Sequence, residues 1–166
     1  GTTKNNGFTS IDIKSIYLDD KPVKTLTAGQ HCTLGIKESQ KKKTGQKLTI
    51  RRGMVAVDPK ISDMRKTRIF TAEIFILHHQ TTICDNRDKK QKTDGNGYQA
   101  IIHCNGVRQT AEIIKIYNDT GYIRCGDRVK ADFRFLYHDE YITPNSKFIF
   151  REGTSRGIGK ITDTIK

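Results

Sequence analysis

An Asn-Gly pair, Asn105-Gly106, set between two runs rich in β-branched and aromatic residues, constrains this chain more than any other feature. Asn-Gly is the strongest short-range signal for a two-residue hairpin, because both residue types tolerate the positive φ that a tight turn demands. The stretch 97–113, GYQAIIHCNGVRQTAEI, therefore reads as two antiparallel strands, with Asn105 and Gly106 both expected at positive φ. On the second strand Val107, Gln109, Ala111 and Ile113 share a face suited to a core. Arg108, Thr110 and Glu112 share the other, suited to water or a polyanion.

Elsewhere the chain shows the same short strands and turn signals. Ile11, Ile13, Ile16 and Tyr17 mark a strand that Lys21-Pro22-Val23 breaks, and Ala28-Gly29-Gln30 turns the chain into a second strand over 31–36. The polar stretch 38–47 reads as an extended basic loop carrying Lys41, Lys42, Lys43 and Lys47. Arg51-Arg52-Gly53 reads as a turn before a short buried strand, Met54 to Val57, which Pro59 ends. Charge and Ser-Asp over 59–67 suggest a domain boundary. The second half opens with a strand over 68–79 that is apolar on both faces, so both should be covered. A second basic loop fills 85–96; further strands follow through Tyr117, over 129–137 (VKADFRFLY), 148–150 and 157–165. Strands recurring at about 8–15 residues with no period-3.6 segment mean an all-β sandwich or barrel.

Thirty Lys and Arg against 18 Asp and Glu give a net charge of +12. That balance favours a polyanion such as RNA or an acidic membrane surface; a merely solvated basic face is the other reading. The four cysteines lack any C-x-x-C pair, which disfavours a local zinc site and points to buried, reduced thiols in a cytoplasmic setting. No apolar run is long enough to span a bilayer, and no signal-peptide pattern opens the sequence. His78 and His79 point to opposite faces of a strand, as do His103 and Cys104, so no metal-ligand or nucleophile-base set forms locally. With no G-x-S-x-G or H-E-x-x-H, no catalytic or metal-binding residue is assigned.

The phrases YQAIIHCNGVRQTAEI, DFRFLYHDEY and FIFREGTSRGIGKIT together resemble the C-terminal β-barrel of EF-Tu-like translational GTPases, most closely the branch called GTP-binding protein 1 and 2. SIYLDDKPVKTLTAGQHCTLGIK and IRRGMVAVDP are similar to the later strands of the preceding barrel in that family. The resemblance implies two small β-barrels, the first incomplete over 1–60, a linker over 61–67, and a six-stranded barrel over 68–166. It implies a GTP-hydrolysing domain elsewhere, to which GTP and Mg would belong. Here neither G-x-x-x-x-G-K-[ST] nor N-K-x-D is present. The phrase Gly157-Ile158-Gly159-Lys160 is a decoy, since Thr154 stands where a phosphate loop needs its first Gly and Ile161 follows Lys160.

The resemblance further implies that the last barrel holds tRNA. Arg151 and Gly153 match backbone-contacting positions, Tyr98 and Gln99 fall near another contact, and His138 falls near a position that is basic in relatives. Arg108 is added from its outward place beside the hairpin turn. In the first barrel His31 lies where an aminoacyl end would sit, and Lys41, Lys42, Lys43 and Lys47 with Arg51 and Arg52 face tRNA or ribosomal RNA phosphates. Structural alternatives stand beside these: an Arg151 salt bridge to Glu152 or Asp132, a core or rim ring at Tyr98, a solvated lysine run. The implied partners are tRNA or ribosomal RNA, the protein's own G domain, and RNA-decay factors, with no membrane. A protein-interaction module is the competing function. A single-strand binder would need exposed Phe or Tyr pairs, and Phe133 with Phe135 are expected to face inward.

Overall fold

The computed structural model describes residues 8–38, 50–61, 64, 66–84 and 98–165, so the lysines of 41–47 and the loop 85–96 lie outside the described residues. The described residues contain strands and no helix, and they divide into two compact units, 1–50 and 51–166.

The first unit is an antiparallel sheet of β1 (Ile11–Leu18), β2 (Lys21–Val23) and β3 (Thr33–Glu38) in the order β2-β1-β3. Lys21-Pro22-Val23 does not end the sheet as expected. Asp19 (φ 47°) and Asp20 (φ 62°) form a two-residue turn that folds it back onto β1. Pro22 is tolerated because β2 is an edge strand, where a missing N–H costs no ladder bond. No described side chain of this sheet is fully buried, and Ile13 is 53% exposed.

The second unit holds β4 (Ile69–His78), β6 (Gln99–Cys104), β7 (Val107–Ile116), β9 (Arg128–Phe135), β10 (Lys147–Glu152) and β11 (Ser155–Ile165). These close into an antiparallel barrel in the order β10-β11-β4-β9-β7-β6, while β5 (Ile83–Cys84) and β8 (Tyr122–Ile123) pair as a short ribbon. The Asn-Gly hairpin forms with Cys104 opposite Val107. Asn105 takes positive φ (51°), but Gly106 does not adopt the left-handed region expected of both.

Phenylalanines fill the barrel. Phe70 and Phe133 stack at 5.2 Å, and Phe148 meets both edge-on at 5.8 Å. Phe135 and Phe150 complete the group, all five being buried. Small residues make the room: Ala72 faces Ala131 and Ala100 faces Ala111 across the strands. Gly157 lies opposite Phe150 and Gly159 opposite Phe148; a Cβ on either would stand 2.0 Å or 2.3 Å from the ring's outer carbon. The Gly-x-Gly phrase that mimics a phosphate loop is therefore a packing requirement.

Other expectations are corrected. Residues 54–57 form no strand, have no ladder partner among the described residues, and leave Met54 50% exposed. The outer face of β4 is covered only in part, with Thr71 5% exposed and Phe75 half-buried but Glu73 exposed and Leu77 50% exposed. Only Cys104 among the four thiols is buried.

Gly157→Ala and Gly159→Ala should each cost about 1–3 kcal/mol, because the new methyl must displace a packed ring. Denaturant unfolding monitored by circular dichroism checks this; an unchanged midpoint would contradict the packing assignment.

Candidate nucleic-acid interface

The inward-facing Gln109 organises the end of the barrel below the hairpin turn. Its Nε2 donates to Glu140 Oε1 (2.6 Å) and to the His138 carbonyl (3.1 Å); its Oε1 accepts from the Tyr137 and His138 N–H groups (2.8 and 2.7 Å). Glu140, 3% exposed, exchanges backbone bonds with Thr67 and takes both arms of the Arg51 guanidinium at 3.0 and 3.1 Å. A buried carboxylate needs such partners, since an unpaired charge there is costly. Arg51, expected among the phosphate contacts, is engaged here by Glu140, and the compact units divide just before it. Gly53 (φ 90°) lies against the Gly106 carbonyl, where a Cβ would stand at 3.4 Å. Arg52 stays exposed, as does the His138 side chain.

Strand register sets the barrel's outer face. One row runs Arg108, His103, Ile149, Ile158, Phe75, Arg128 across β7, β6, β10, β11, β4 and β9. Beside it, Arg151 stands directly opposite Arg156. Among the described residues, ion pairs engage Arg51, Arg68 and Arg134, and none engages Arg108, Arg151 or Arg156. The structural alternative for Arg151, a bridge to Glu152 or Asp132, is not formed; Asp132 instead accepts from Thr71 and Tyr117. Like charges directly opposite on a sheet repel, and among the described residues no ion pair relieves this cluster. His103 senses it: partial burial, then Arg108 and Arg151, lower its pKa from the ordinary value. A depression of about 500 Å³ next to the cluster is lined by His103, Arg128, Lys147, Lys160, Ile149 and Ile158, among others.

The remaining assigned residues separate. Tyr98 is half-buried, its ring edge-on to His79 at 5.4 Å and its hydroxyl enclosed. Burial first, and Glu152 second, push its pKa up to about 12. His79 in turn bonds Ser155 (2.6 Å), just past the turn holding Gly153 (φ 54°), so Tyr98 and that turn do come together, around a ring that braces the rim. Burial lowers the His79 pKa. Gln99 pairs across to Glu112, which is buried rather than solvated, beneath Arg134 (Nε 2.6 Å). His31 is exposed in the first unit. Sequence reading missed His103, Arg156, Arg128, Lys147 and Lys160. Strand alternation placed them outward, but only the register shows that they converge.

No protein-family model matches the chain. It is similar to GTP-binding protein 1 of Xenopus laevis, 36% identical over 159 residues that cover 96% of this chain and 21% of that protein. It is also similar to GTP-binding protein 2 of Mus musculus and Homo sapiens, 33% identical over 163 residues, 98% of this chain and 24% of theirs. The chain therefore spans between a fifth and a quarter of the length of these curated relatives.

Two measurements follow. Arg51→Met should destabilise by about 1–3 kcal/mol in thermal or denaturant unfolding, less than a fully buried pair would lose, because Arg51 is 33% exposed. In Arg151→Met, proton NMR titration of His103 should show its pKa rising toward 6.5. The sign is that of a histidine the fold keeps deprotonated: its contribution to stability is complete above 6.5 and is lost as pH falls through the depressed value, and the variant narrows that loss.

Proposed function

We propose that this chain is a non-catalytic, RNA-facing β-barrel region of a longer GTP-binding protein, and that Arg108, Arg151 and Arg156 hold RNA phosphates with His103 between them. The observation that carries the reading is the uncompensated cluster on an ordered sheet face, with two arginines placed opposite each other. Phosphate neutralisation is the main source of RNA affinity, and a guanidinium that no carboxylate occupies is free to supply it. The relatives' names state GTP binding for those proteins, and this chain covers only a minor part of them. With no phosphate-loop motif in the chain, nucleotide and Mg would be held by a G domain elsewhere in the longer protein. The RNA partner in this reading is tRNA or ribosomal RNA in the cytoplasm, gripped through the backbone. Arg52, Gly153 and His138 lie on exposed positions that suit peripheral contacts.

One observation favours a second reading. Ile149 and Ile158 face each other across β10 and β11 and are 52% and 45% exposed, a small apolar patch suited to a protein partner such as the protein's own G domain or an RNA-decay factor.

Charge reversal at Arg108 and Arg151 separates the two. Filter binding of labelled tRNA at several salt concentrations should show the double variant losing affinity and flattening the log K against log salt slope by about 1.5–2. Ile149→Ser with Ile158→Ser should leave that slope unchanged. The reverse pattern, with RNA affinity intact in the arginine variant and partner capture lost in the serine variant, would favour the docking module.

A further inference from the structure

At the far end of β7 from the hairpin turn the strand changes phase. Ile113 pairs with Phe133 but Lys115 pairs with Asp132, so Ile114 is an extra residue in a β-bulge. The bulge turns Ile116 fully inward and leaves Lys115 and Tyr117 exposed on the outer face. Tyr117 is 43% exposed, yet held at both ends. Its N–H donates to the Lys130 carbonyl (2.9 Å), and its hydroxyl donates to Asp132 Oδ2 (2.9 Å). Asp132 is itself 6% exposed and fixed through Oδ1 by the Thr71 hydroxyl (2.7 Å). The bond to Asp132 raises the phenol's pKa, so the hydroxyl stays a donor at neutral pH. Two ammonium groups lie over the ring, Lys115 Nζ at 4.3 Å and Lys130 Nζ at 5.5 Å from its centre.

We propose that Tyr117, with Lys115 and Lys130, is a stacking platform for an unpaired RNA base whose neighbouring phosphates the two lysines hold. The inference rests on the RNA reading above and adds a contact of a different kind. A fixed, exposed ring carrying cations over its face suits a ligand that is both planar and anionic, and a nucleotide is the common chemical class with both properties. The base takes an ammonium's place on the ring as the lysine turns to the phosphate. The surroundings agree. From Tyr117 the register continues outward through Lys130, Glu73, Lys160 and Lys147 on β9, β4, β11 and β10, three lysines with one carboxylate among them. Strand spacing makes this row roughly 19 Å long, a track for a nucleic-acid backbone across the sheet. Arg108 lies at the other end of β7, roughly 25–30 Å away along the strand, so the platform is not part of the arginine cluster.

The test uses the full chain and three labelled RNA probes: a single-stranded oligonucleotide, the same oligonucleotide with abasic positions, and a duplex, read by fluorescence anisotropy over a salt series. Tyr117→Ala should weaken single-strand binding about tenfold, with Tyr117→Phe within about twofold of the parent. The abasic probe should reproduce the tenfold loss on the unaltered chain, which removes any dependence on how a variant folds. Duplex binding should be unchanged by Tyr117→Ala. The salt slope should stay constant in that variant and fall by about 1.4 in Lys115→Ala with Lys130→Ala. Equal binding of base-containing and abasic probes, or an equal loss on duplex, would overturn the platform. If arginine reversal abolishes binding while Tyr117→Ala is neutral, the platform fails and the proposed function stands; if no probe binds at low salt, both fail.

Discussion

Two phenylalanine rings lie where the Cβ atoms of residues 157 and 159 would otherwise stand, and the barrel depends on that substitution of ring for methyl. Six strands enclose less interior than the eight that side chains comfortably fill, so a core of five rings needs residues with little or no side chain among its other inward positions. Glycine opposite Phe148 and Phe150 satisfies this at the β10–β11 seam, and alanine pairs do so between β4 and β9 and between β6 and β7. The same choice orients the surface. With Phe148, Phe150, Gly157 and Gly159 inward, strand alternation sends Lys147, Ile149, Arg151, Arg156, Ile158 and Lys160 outward. Core packing thus decides which cations can meet a ligand.

A net charge of +12 conceals two populations of basic side chains. Arg51, Arg68 and Arg134 are answered by Glu140, Asp139 and Glu112, two of these carboxylates being buried. These pairs hold segments of the second unit in place. Arg108, Arg151 and Arg156 have no such carboxylate among the described residues, and burial, then Arg108 and Arg151, depress the His103 pKa. Sorting cations by whether the fold already uses them separates structural charge from charge available for binding.

What the amino-acid order reveals and what it hides divide along one physical line. The hairpin at Asn105, the strand through Phe133 and Phe135, and the all-β class all follow from local alternation and turn chemistry. Arg51 and Glu140 are 89 residues apart, so their pairing exists only once the barrel closes. Lys21-Pro22-Val23 looked like an interruption because proline opposes a central strand, whereas it lies on an edge. Glu112 looked solvated by parity, but Arg134 on the neighbouring strand covers it. The convergence of Arg108, His103 and Arg151 required the pairing register, which no single strand contains.

The bulge at Ile114 gives β7 two halves in opposite phase. Before it, odd-numbered positions such as Val107, Gln109 and Ala111 face the interior; after it, the even-numbered Ile116 does. Strand alternation normally tolerates substitution better than a change of length, and the unpaired residue of a bulge is the exception. Loss of Ile114 would remove the bulge and let Ile113, Lys115 and Ile116 pair in regular alternation with Phe133, Asp132 and Ala131, so Lys115 would stay outward and Ile116 inward. In comparing such chains, a single-residue gap at this point would therefore report a straightened strand with both faces kept, whereas a gap elsewhere in β7 would exchange them.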